Sequence, residues 1–174
     1  QSALLLNIQG AAYAGRQQFD NAIKSYRKAI DARGDHPDSY NNIASAMVAK
    51  GLDVAAVSYY IKAISASPLY YEAYINMGHT LMDRGNLESA IASYRAAIDI
   101  NSSKTDAFLS IAKAFWKQGE LDLAIDNYQL AISIDRGSVD AHKNLPNVHK
   151  DKDQRDKQIT KYVRSSAIDK AKEC

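Results

Sequence analysis

The sequence repeats itself every 34 residues. Ala22, Ala56, Ala90 and Ala124 stand 34 apart, as do Tyr26, Tyr60, Tyr94 and Tyr128, and again Ala29, Ala63, Ala97 and Ala131. Other columns repeat in kind: Ile23, Val57, Ile91 and Ile125, and the small residues Gly10, Ala44, Gly78 and Ala112. A glycine column runs through Gly51, Gly85 and Gly119, with Gln17 in its place in the first unit. A fixed period of this length means that each unit is one supersecondary element, which buries its apolar face only against its neighbours.

The columns read as two helices per unit. Between Pro37 and Lys50, Tyr40, Ile43, Ala44 and Met47 fall at i, i+3, i+4 and i+7, one stripe of a helix. Gly51 follows, where a left-handed residue ends a helix without a Cβ penalty. Ala56, Val57, Tyr60, Ala63 and Ile64 make the second stripe, and Pro68 stands beyond it as a stop. Small residues let the paired backbones approach, and the tyrosine column supplies bulk toward the next unit. That column accounts for part of a high count of eleven tyrosines. Only three prolines among many alanines also favour helix.

This pattern resembles the tetratricopeptide repeat. The third unit carries Tyr74, Gly78, Leu81, Gly85, Ala90, Tyr94 and Ala97 at the offsets of that signature. The resemblance implies an all-α fold, a right-handed solenoid of antiparallel helix pairs. Units starting at Ala3, Pro37, Tyr71 and Thr105 give four regular copies over 3–36, 37–70, 71–104 and 105–138. The second departs locally, with Leu52-Asp53 where the others place the apolar residue one step later. The window from Val139 breaks the pattern: Pro146 takes the small-residue place, Asp153 replaces the turn glycine, and Gln158 and Ser165 replace alanines. Residues 139–174 are therefore expected to form capping helices or a linker, with the charged run His149 to Lys157 exposed.

Composition narrows the function classes. There are 22 basic and 20 acidic side chains, a formal charge of +2 with the signs interspersed, which argues against nucleic-acid binding. No apolar run approaches the roughly 18 residues of a membrane span, and Ser2 to Gly15 lacks the basic leader of a signal peptide. The lone cysteine, Cys174, excludes an internal disulfide and points to a reducing compartment such as the cytoplasm. The chain opens on Gln1, which suggests a fragment or a processed product.

In the resembled family the first helix of each unit lines an inner wall that takes an extended or helical peptide. Carried onto this sequence, that implies a peptide-binding groove of Asn41, Asn42, Ser45 and Val48, then Ile75, Asn76, His79 and Met82. Leu109, Ser110, Lys113, Trp116 and Lys117 continue it, and Lys143, Asn144 and Asn147 would extend it. Asn42, Asn76 and Asn144 share a column, with Ser110 in the gap. Their amides could meet a peptide backbone, face solvent, or bond to the neighbouring repeat. A similar asparagine ladder marks the repeat arrays of O-linked N-acetylglucosamine transferases. Trp116, the only tryptophan, is either a binding anchor or a cover over Met82. Lys113, Lys117, Lys143 and Lys150 would make that end basic. The chaperone-type carboxylate clamp of some family members is not matched, since Lys143 and Asn147 have no two regular units after them.

Enzymatic motifs are lacking. The four histidines form no HExxH pair, and there is no phosphate loop and no nucleophile motif. No cofactor or metal is implied. The expected role is a non-catalytic scaffold for a protein or peptide partner. The alternative is a recruiting arm of a larger glycosyltransferase- or sulfotransferase-like enzyme, by analogy with arrays that precede such domains. The apolar start Ala3, Leu4, Leu5 and Leu6 also suggests self-association through terminal repeats.

Overall fold

A computed structural model describes residues 2–34 and 36–172. Cys174 lies outside them. Among the described residues there are nine α-helices and no strand. They fall into two compact units, Gln1–Ser103 and Lys104–Cys174.

The first unit holds α1 (Ala3–Gly15), α2 (Phe19–Arg33), α3 (Pro37–Ala49), α4 (Asp53–Ala66), α5 (Tyr71–Asp83) and α6 (Leu87–Ile100). Short turns fold these into the pairs α1/α2, α3/α4 and α5/α6, and each second helix packs on the first helix of the following pair. The reversals rest on left-handed residues. Gly51 and Gly85 take φ of 73° and 77°, and Gln17, which stands in the glycine column, takes φ of 59° despite its side chain. The core runs between pairs: Ala22, Ile23 and Tyr26 of α2 pack with Ile43, Ala44 and Met47 of α3 and with Ala56 and Tyr60 of α4. A Cβ on Gly78 would sit 2.5 Å from Cε1 of Tyr94, and one on Gly10 equally close to Tyr26. The small-residue and tyrosine columns are thus two halves of one contact.

The second unit holds α7 (Thr105–Gln118), α8 (Leu121–Ile134) and α9 (Val139–Lys172). Phe108, Ile111, Phe115, Tyr128 and Val148 are buried within it. Burial of each such ring stabilises by about 2 kcal/mol or more. The expected capping helix pair or linker is replaced by one continuous helix of 34 residues, α9, with Pro146 inside it. The reason is the missing turn chemistry. Asp153 stands where the turn glycine does in the other units, and no glycine or proline follows it, so nothing stops the helix. Ala141 and Val148 of α9 are buried, whereas every side chain from Asp156 to Ser165 is exposed. The charged run His149 to Lys157 is not wholly exposed as expected, because Asp151, Lys152 and Arg155 are half-buried. Among the described residues, no helix is long and apolar enough to cross a membrane, and no three or more His, Cys, Asp or Glu side chains are grouped to hold a metal.

Candidate peptide-binding faces

In the first unit the candidate residues belong to α3 and α5, neighbouring first helices in direct contact. Ser45 and His79 are exposed, and Asn42, Asn76 and Met82 are half-buried. Asn41 is only 7% exposed, and its side-chain carbonyl accepts from Nδ2 of Asn76 at 3.1 Å. Asn41 is therefore removed from the peptide-facing set: a residue one step off the exposed column turns toward the adjacent helix. Ile75 is buried for the same reason.

The exposed polar groups stand on an ordered layer of tyrosines. The hydroxyls of Ser45 and Tyr60 lie 3.2 Å apart, and Ser45 also donates to the carbonyl of Asn41 at 3.1 Å. Burial raises the pKa of Tyr60, and hydrogen bonds with Ser45 and Thr80 offset part of the rise. The His79 ring lies 5.5 Å from the Tyr94 ring, tilted by 58°, while the Tyr94 hydroxyl points at Sδ of Met82 at 4.0 Å. Burial, and then the charge of Asp83, raises the pKa of Tyr94. Ser45, His79 and Met82 are consequently held from beneath by fixed phenol groups.

In the second unit Lys117 is exposed, and Lys113, Trp116 and Asn144 are half-buried. Ser110, 7% exposed, is buried, a second correction to the expected lining. Lys113 forms an ion pair with Asp140 at 3.3 Å, so that side chain does not add a free charge to a basic end. Trp116 donates its indole N–H to Asp151 of α9 at 2.8 Å. Its polar edge is thus occupied by a partner that neither expected role included. The Tyr128 hydroxyl is buried without a well-formed hydrogen bond among the described residues, and the Asn144 amide faces it. Burial first, and then the charge of Asp140, pushes the Tyr128 pKa up to about 12, with Asn144 opposing. Lys143 is exposed, and Asn147 donates to the carbonyl of Lys143 at 3.1 Å, a local bond along α9.

Comparison with known families matches these elements. A TPR repeat model covers residues 10–51 and 78–119, and a tetratricopeptide repeat model covers 105–138. The chain belongs to the tetratricopeptide-repeat family. Among solved structures of this fold, it is similar to a crystal structure of MamA protein, at TM-score 0.77 and 23% identity over 92% of this chain and 88% of that one. It is similar to YrrB, described as a TPR protein with an unusual peptide-binding site, at TM-score 0.68 and 20% identity over 77% and 69%. The first TPR of Spaghetti (RPAP3), bound to the HSP90 peptide SRMEEVD, matches at TM-score 0.64 and 26% identity over 68% and 94%. No curated protein matches the sequence.

For this tetratricopeptide-repeat chain, the residues that sequence reasoning missed are Asp140 and Asp151. Both lie on α9 and hold side chains of α7. One signal was available. Trp116 and Asp151 are 35 residues apart, the same separation as Asn41 and Asn76.

Proposed function

We propose that the chain is a non-catalytic protein-interaction scaffold that holds a peptide segment against the first helices of its repeats. The observation that carries this reading is the face of α3 and α5, where the exposed Ser45 and His79 flank the half-buried Asn42, Asn76 and Met82 over the ordered tyrosines. Hydroxyl, imidazole and amide groups there can meet a peptide backbone, and Met82 supplies an adaptable apolar contact. In the second unit the same role falls to the ring of Trp116 beside Lys113 and Lys117, with Asn144 contributing through its amide. The peptide-bound Spaghetti repeat, which shares the fold, supports the reading.

The test selects peptides from a displayed random library on the full chain. Their affinity for the parent protein is then compared by calorimetry with that for Ser45→Ala, His79→Ala and Lys117→Ala. Binding weakened by about tenfold in at least one variant with unchanged helix content is expected. Selected peptides that bind all three variants as tightly as the parent would refute the assignment.

A further inference from the structure

Two rungs of the repeat carry an ion pair that the second rung lacks. Asp20, in the first turn of α2, pairs with Lys50 at the end of α3. Asp122, in the first turn of α8, pairs with Lys152 of α9. The partners are 30 residues apart in both cases, so each joins the start of a second helix to the end of the next first helix. At the equivalent place on α4 the acid is replaced by Val54, and the cation 30 residues on is Arg84, the C-cap of α5. Among the described residues the side chain of Arg84 makes no ion pair or hydrogen bond, and it is exposed.

The turn here is also the variant one. Leu52 is displaced one step from the apolar place that other turns use, and it is left 46% exposed, with Val54 68% exposed beside it. Leu52, Asp53, Val54, Ala55, Ser58 and Arg84 line a cavity of about 540 Å³. Asp53 sits in the first turn of α4, where a helix N-terminus favours negative charge, and no ion pair joins it to Arg84 among the described residues.

We propose that this cavity binds a segment of a partner protein that presents a carboxylate next to a branched apolar side chain. The carboxylate takes the place on Arg84 that the repeat's own aspartate holds on Lys50 and Lys152, as a two-point bond to the guanidinium fork. The apolar side chain covers the exposed Leu52 and Val54. This surface lies at the α3–α4 turn and is separate from the Ser45 and His79 face, so it adds a second contact to a scaffold.

The test uses the full chain with methyl and arginine side-chain NMR. The probes are the tripeptide acetyl-Leu-Ala-Leu with a free carboxylate and the same tripeptide as its amide. The acid is expected to shift the Leu52, Val54 and Ala55 methyls and the Arg84 Nε signal, and to bind about tenfold tighter than the amide. Val54→Asp, which rebuilds the internal pair, and Arg84→Gln should each remove that preference. Val54→Leu and His79→Ala should keep it. Equal binding of acid and amide overturns the proposal, as does an acid preference that survives Val54→Asp. Shifts of the same methyls with protein concentration in the absence of peptide also overturn it, by assigning the cavity to a second copy of the chain.

Discussion

The side-chain amide of Asn76 donates to the side-chain carbonyl of Asn41 at 3.1 Å, joining two neighbouring first helices through a nearly buried bond. Asn76→Ala leaves the Asn41 carbonyl without that donor in a place where little water reaches it, which costs about 1–3 kcal/mol. Removing both amides together in Asn41→Ala/Asn76→Ala should cost less than the sum of the single losses, because the second change deletes the group that the first left unpaired. Urea unfolding of the four proteins measures this. Strict additivity would show that the bond contributes nothing.

That bond also marks where the sequence stops being legible. The columns Ala22 to Ala124 and Tyr26 to Tyr128 carry the helix pairing, because a residue repeated at each turn of a solenoid meets the same neighbour every time. The site was harder to read. Asn41 and Asn42 are adjacent on one helix, and a rotation of about 100° separates a buried amide from one at the surface. Spacing alone did not say which was which. Asp151 was hard to read for another reason: it lies in the window where the repeat decays, so only its 35-residue spacing from Trp116 pointed to the contact. The length of α9 follows from an absence, the lost turn glycine, and Pro146 lies inside the helix without ending it.

The glycine at position 78 is set by the Tyr94 ring. A methyl group there would meet Cε1 at 2.5 Å and Cδ1 at 2.8 Å, so a fully buried ring must shift. Gly78→Ala gains helix propensity of about 1 kcal/mol yet forces overpacking of about 1–3 kcal/mol, and a net loss of thermal stability is expected. The variant should also disturb the Tyr94–His79 ring contact, visible as a changed His79 imidazole shift. A more stable variant would show that the ring moves freely.

Trp116 reports on the docking of α9. Its indole N–H is held by Asp151 at 2.8 Å, and it is the only tryptophan, so its fluorescence follows this one contact. Asp151→Ala should shift the emission to the red and speed amide exchange around Val148, at a cost of about 1–3 kcal/mol for a hydrogen bond to a charged group. Asp151→Asn, whose carbonyl can still accept, should recover part of the loss. Unchanged emission in Asp151→Ala would place the indole in another environment.

Alkaline pH should unfold the chain through its tyrosines. Burial raises the pKa of Tyr26, Tyr60 and Tyr94, raises that of Tyr70 with help from Asp38, and pushes Tyr128 up to about 12. An unfolded tyrosine loses its proton near pH ~10. Above that point the native state holds more protons than the unfolded one, so stability falls as pH rises. The loss begins near the unfolded value and for Tyr128 is complete by about pH 12. Below pH ~10 these groups are neutral in both states and contribute no slope. Phenolate absorbance and helical circular dichroism, followed through the same titration, should therefore change together and steeply. Phenolate appearing while the helix signal stays intact would mean that the repeat column is open to solvent, and the core contact between Tyr94 and Gly78 would then need to be redrawn.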